Sequence, residues 1–190
     1  MTADIPSAMR PVHAGRVADD VGRALVQAAH EVLAVEGPFG LTVRRVAQVA
    51  GVSTMNVYSR FGGKDGVIDA LLIEGFQKLT EVIREAHASP NAIDDLMTCA
   101  TGYRTFAMLH STYYELMFDR SIPGYEMSPQ AVAAAGAALG SLAERVQHAM
   151  DEGVISSGDP MQVATVFWSA CHGPVSLELK MTGKSDTDWN

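Results

Sequence analysis

Apolar residues recur along this chain at the three-to-four spacing of helices, and no segment alternates with the period of two that marks a strand. Val21, Leu25, Ala28, Val32 and Leu33 form a stripe that ends at Gly37-Pro38, a pair unsuited to continuing a helix. Val43, Val46, Ala47 and Ala50 line a second, short helix with Thr42 placed to cap it. Val52, Val57 and Phe61 anchor a third, which Ser53 can cap. Val67, Ile68, Leu71, Leu72, Phe76, Leu79, Val82 and Ile83 then carry a long helix over about 64–88, near 35 Å at ~1.5 Å per residue. After the break at Ser89-Pro90-Asn91, helices are predicted over about 92–109, 110–118, 128–151 and 160–180. The fold class is therefore all-α. An N-terminal three-helix head over 18–66 is joined by the long helix to a C-terminal bundle over 67–190, and a disordered tail occupies 1–17. Arg10 and Arg16 in that tail offer the alternative of a minor-groove arm.

The segment 42–64, TVRRVAQVAGVSTMNVYSRFGGK, makes the head a helix-turn-helix. Gly51 falls where the chain leaves the second helix, a left-handed position that costs a residue with a β-carbon about 1 kcal/mol. Ala47 is small where the two helices cross. The outward face of the third helix keeps Thr54, Asn56, Ser59 and Arg60, with Met55 at its edge, and a helix presenting its first turn this way suits a major groove. Arg44 can donate a fork of hydrogens to guanine, Asn56 can pair with adenine, and Thr54 or Met55 can meet a thymine methyl. Ser53 completes the candidate surface. Arg45 and Arg60 also read as solvated surface charges, and the Tyr58 ring also reads as a cover for the core.

At these residues the chain resembles the TetR family of bacterial transcription regulators. The resemblance rests on Leu41-Thr42-Val43-Arg44, Val46-Ala47, Ala50-Gly51-Val52-Ser53, Val57-Tyr58, Phe61 and Lys64. It implies that Thr42, Tyr58, Lys64 and possible company from Ser59 hold the DNA backbone. Position 55 is often small in relatives, so Met55 gives a bulkier base-reading surface than the family pattern. Further along, Tyr103-Arg104-x-Phe106-Ala107, Tyr114-x-Leu116-Met117-Phe118, Trp168-x-x-x-His172-Gly173 and Ser176-Leu177-Glu178-Leu179 look like the ligand domain of members with a Trp-x-x-x-His-Gly motif. The resemblance then runs from about 18 to 182. Relatives usually carry a further short apolar helix where this chain reads GKSDTDWN, a departure that points to truncation or to a smaller dimer interface.

For the bundle, that resemblance makes Tyr103, Phe106, Tyr113, Tyr114, Met117, Phe118, Trp168 and His172 the walls of a mainly apolar pocket for a small-molecule effector. Each of them taken alone reads first as core filling, and only the group as a whole reads as a pocket. His172, beside Gly173 and Pro174 where a kink is predicted, fits three roles: a ligand handle, a pH-sensitive latch, or a satisfied core histidine. The small-residue run 131–138 permits close approach of helices. Segments 128–151 and 160–180, with Val163, Val166, Phe167 and Leu177, are the predicted homodimer interface, although the alanines also suit plain helix propensity.

Charge changes this picture only when divided along the chain. The net charge is −8; residues 1–66 hold seven basic and six acidic side chains, or +1, which leaves −9 for the rest. Within the motif four basic residues face only Asp65, a local sign that favours phosphate. An acidic body argues against a coating protein and leaves a site-specific one open. No apolar stretch reaches the ~18 residues of a membrane span and the N-terminus lacks the apolar core of a signal peptide, so a cytoplasmic protein without membrane partners is predicted. Cys99 and Cys171 lack zinc-ligand spacing, and His110 and His148 lack partners at metal spacing, so no metal and no cofactor are predicted. An enzyme is the first rival reading, but neither Gly-x-Ser-x-Gly nor a phosphate-binding loop is present, and no catalytic residue is assigned. An interaction module that has lost DNA is the second, and Arg44, Tyr58 and Lys64 speak against it. The resulting expectation is a regulator, a repressor by the family resemblance, that binds an inverted-repeat operator in double-stranded DNA as a homodimer and is released by a small, mainly apolar molecule.

Overall fold

The computed structural model describes residues 20–85, 91–119 and 122–182; the predicted tail over 1–17, with Arg10 and Arg16, and the C-terminal GKSDTDWN segment lie outside them. Among the described residues every regular element is helical: α1 Asp20–Gly40, α2 Val43–Val49, α3 Thr54–Phe61, α4 Lys64–Glu85, α5 Ala92–Leu109, α6 Ser111–Tyr114, a π-helical turn Glu115–Asp119, α7 Pro129–Asp151 and α8 Pro160–Thr182. No helix among them is long and apolar enough to cross a membrane. Contacts gather into two units, one of residues 20–71 with Gly124–Glu126 and the other of Leu72–Pro123 with residues 127–182.

The first unit is a head of α1, α2, α3 and the start of α4. Its core is Leu25, Ala29, Val32, Leu33, Leu41, Val46, Ala47, Val57, Val67, Ile68 and Leu71, all essentially inaccessible. α1 leaves helical geometry at Gly37 (φ 68°), and Pro38 follows, as the sequence pattern requires. Gly51 takes φ 67° at the end of α2. There Val52 N–H donates to Ala47 O at 3.0 Å and Gly51 N–H to Gln48 O at 3.2 Å, the paired bonds of a Schellman ending that fix the angle of the turn. At the other end of α3, Gly62 (φ 76°) and Gly63 (φ 145°) turn the chain into α4. Gly66 admits no side chain, because a β-carbon would lie 1.8 Å from Phe61 O.

The second unit packs α5, α7 and α8 with the later turns of α4 and the 111–119 segment. Asn91 caps α5 through Ile93 N–H at 2.9 Å, and Ser128 caps α7 through Ala131 N–H at 3.2 Å. His110 (φ −124°, ψ 44°) bends the chain between α5 and α6. Close crossings are marked by glycine: a β-carbon on Gly75 would meet Met117 Sδ at 2.8 Å, and one on Gly102 would meet Val82 Cγ1 at 2.8 Å. α8 continues as one helix through Gly173-Pro174 and does not end there, since proline removes a single backbone bond. Asp95 of α5 is buried and faces Arg145 of α7 at 3.8 Å, an internal charge pair that surface-like spacing did not disclose.

Candidate DNA interface and ligand cavity

The candidate DNA surface is built on α2 and α3. Thr42 accepts Arg45 N–H at 3.2 Å and so sets the first turn of α2. Arg44 stands next to it, exposed, with no side-chain hydrogen bond to another described residue. Arg45 is instead committed to Glu36 at 2.6 Å, which removes it as a free charge. On α3, Thr54, Met55 and Tyr58 are exposed, Met55 to 70% and Tyr58 to 54%, so Tyr58 keeps part of its side chain against the head and part in solvent. Ser59 is exposed and its hydroxyl donates to Asn56 O at 3.3 Å, while Lys64 is half-buried at the start of α4.

Ser53 and Asn56 make side-chain bonds beyond those the sequence pattern assigned. Ser53 occupies the N-cap position of α3, but its side chain makes no cap bond and accepts Asn56 Nδ2–H at 3.1 Å. Asn56 in turn accepts Arg60 Nη1–H at 2.8 Å on its other end. Each end of the amide thus holds one bond within α3, which fixes its orientation and leaves one N–H and one lone pair unassigned. Arg60 belongs to this chain of bonds and is not a merely solvated charge.

In the second unit, a cavity of about 380 Å³ opens among α4, α5, α7, α8 and Phe118 of the π-helical turn. Tyr103, Phe118 and Trp168 line it. Phe106 lies on another face of α5 and packs on the His110 ring at 5.3 Å. Tyr113 and Met117 turn toward Gly75. Burial and the neighbouring Glu74 carboxylate hold the Tyr113 phenol well above its ordinary range. Tyr114 is fully buried and stacks on His172 at 5.5 Å, and His172 packs against the wall residues Phe118 and Trp168 at 5.3 and 5.4 Å. There His172 Nδ1 meets Tyr103 Oη at 2.9 Å and Tyr114 Oη at 2.8 Å, and Trp168 Nε1–H donates to Tyr103 Oη at 3.2 Å. His172 is half-buried, and its Nδ1 is shared between the two phenols. Burial raises the Tyr103 phenol far above its ordinary range, so this hydroxyl stays protonated.

The remaining wall comes from residues the aromatic pattern did not suggest, among them Phe76 and Leu79 of α4 and Ala135, Gly136, Leu139 and Leu142 of α7. The α7 set has a legible signal, since positions 132, 135, 136, 139 and 142 fall on one helical face and small residues in their midst leave volume unfilled. Part of the alanine run assigned to helix approach between subunits is therefore cavity wall. Cys99 and Cys171 also line it.

Residues 25–71 match the model of bacterial regulatory proteins of the tetR family, and residues 96–188 match that of the tetracyclin repressor-like C-terminal domain. The chain belongs to the TetR family. Along the TetR-family fold it is 28% identical to a protein of unknown function from Rhodococcus sp. RHA1, with a TM-score of 0.75 over 92% of this chain and 90% of the other. An uncharacterized HTH-type transcriptional regulator of Mycobacterium tuberculosis is 27% identical over 188 residues, 95% of this chain and 83% of that protein. A further match, to an HTH-type transcriptional regulator of Mycobacterium bovis, has 22% identity over 118 residues. It covers 60% of this chain, which spans half the length of that relative.

Proposed function

We propose that this TetR-family protein is a ligand-responsive, site-specific DNA-binding transcription regulator, a repressor that leaves an inverted-repeat operator when a small, mainly apolar molecule binds. The observation that carries the reading is the pairing of an outward polar face on α2–α3, with Arg44, Thr54, Tyr58 and Lys64 around it, with a large apolar cavity in the second unit. The naming of the mycobacterial relatives as transcriptional regulators supports a regulator over an enzyme. Such a protein works in the cytoplasm, where the operator is. One helix-turn-helix reads too few base pairs for selectivity, and a two-fold homodimer matches an inverted repeat with half-sites ~34–36 Å apart. α4 contributes Ile68 to the head core and Phe76, Leu79 and Ile83 to the cavity, so a ligand with different affinity for two arrangements of α4 can shift DNA binding.

The test is selection of bound sequences from a random duplex pool at moderate salt, with intact protein and with an Arg44→Ala/Tyr58→Phe variant. An inverted repeat, lost or blurred in the variant, supports the reading and provides the operator. Intact, folded protein that enriches no motif at all would sink it and favour an interaction module.

A further inference from the structure

The cavity wall carries no ionic side chain: its lining contains no aspartate, glutamate, lysine, arginine or histidine. Its polar groups are one phenol, one indole and two thiols. The indole N–H of Trp168 is spent on Tyr103 Oη, and that hydroxyl is also bonded to His172 Nδ1, so little hydrogen-bonding capacity points at an occupant. The groups that can ionise also stay neutral near pH 7. Burial pushes the Cys99 thiol up to about 11 and raises Cys171 and Tyr103 as well. Five aromatic rings, those of Phe76, Tyr103, Phe118, Phe167 and Trp168, make up the bulky part of the wall. Phe118 meets Phe76 edge-on at 5.9 Å and Trp168 at 5.6 Å, leaving ring faces and edges as the contact surface.

Size narrows the class further. An apolar cavity of about 150 Å³ holds a benzene ring of six non-hydrogen atoms, so one of 380 Å³ holds about 15 at the same density. The cavity opens to solvent past Val132 and Gly136, and a carboxylate or phosphate seated against its apolar wall would meet no counter-charge among the lining residues, so whatever part of it turned from water would be disfavoured.

From this wall we propose that the cavity takes an uncharged, ring-bearing molecule of about 15 non-hydrogen atoms with at most one hydrogen-bonding group, and rejects its carboxylate counterpart. The inference rests on the reading of the cavity as the effector site and specifies the chemistry of that effector.

Calorimetric titration with para-biphenylmethanol and para-biphenylcarboxylate, nearly equal in size and different in charge, tests it. The alcohol is expected to bind, and the carboxylate to bind at least about a hundredfold more weakly at neutral pH. The acid's apparent affinity should rise about tenfold for each unit by which the pH falls toward its own pKa, because only the protonated form enters. Ala135→Phe and, independently, Gly136→Leu should each weaken the alcohol at least about tenfold by filling the cavity while leaving the helical circular dichroism intact. Equal binding of the two probes at neutral pH, or alcohol binding untouched in both folded variants, overturns the proposal. No DNA enters this measurement. Discrimination by a protein that selects no operator keeps the inference without the regulator, and operator binding by a protein that treats both probes alike does the reverse.

Discussion

Arg44 and Asn56 show how far side-chain chemistry reaches at the level of single residues. Both were candidate base readers, but Arg44 is exposed and uncommitted while Asn56 is held by Ser53 and Arg60. Arg44→Ala is expected to weaken binding to a selected operator by about 1–3 kcal/mol with an unchanged melting temperature. Asn56→Ala should instead lower the stability of the head, and a double-mutant cycle with Arg60→Ala, read by denaturant unfolding, should return a coupling of about 0.5–1.5 kcal/mol. A coupling of zero would show that the bond between Asn56 and Arg60 contributes nothing to the head. The spacing of Ser53, Asn56 and Arg60 at three and four residues made these bonds available in the sequence, but the choice of rotamer between helix and solvent belongs to the folded state. Cys99 offers a separate check by pH. Its folded pKa of about 11 exceeds the ordinary 9.0, so its contribution is complete below pH 9 and is lost as the unfolded chain releases its proton first, between pH 9 and 11. The loss is on the order of 2 kcal/mol by pH 11. Cys99→Ala should flatten the alkaline limb of a stability profile, and an identical slope in both proteins would remove Cys99 as its source.

Helices and turns were the most legible level, because caps, glycine turns and apolar stripes act locally and agree with one another. Gly51, Thr42, Asn91 and Ser128 do in the structure what their chemistry suggests. Glycines inside helices are different, since their reason lies across the helix in another element. A β-carbon on Gly66 would strike the Phe61 carbonyl, whereas one on Gly136 meets nothing within 4 Å. The same substitution should therefore have opposite signs: Gly66→Ala destabilises by at least about 2 kcal/mol, and Gly136→Ala stabilises by about 0.5–1 kcal/mol. Thermal unfolding of the two variants checks both. If Gly136→Ala also lowers the association of subunits in sedimentation, α7 packs against a partner helix at Gly136 and the alanine run serves the interface as well as the cavity.

For the molecule as a whole, the division of charge into +1 over residues 1–66 and −9 over the remainder sets the character of DNA binding. Arg45 is paired with Glu36, so one cation of the motif is offset, whereas Arg60, bonded to a neutral amide, keeps its charge. A dimer that neutralises about six phosphates should show log affinity falling against log salt with a slope near −5. Competition of a selected operator between 50 and 200 mM salt measures it, and a much flatter slope would count against Thr42, Tyr58, Ser59 and Lys64 as backbone contacts. Helix positions, the turn geometry of the head and family membership could be read from the one-dimensional pattern, because each depends on residues within a few positions of one another. The cavity could not. Its aromatic wall was suggested, but whether Tyr114 and His172 face the void or stand behind it, and whether small residues of α7 leave space or fill an interface, depend on how distant helices pack. Packing at crystal-like density is a property of several helices together, and only the tertiary structure settles which side chains are left without a neighbour.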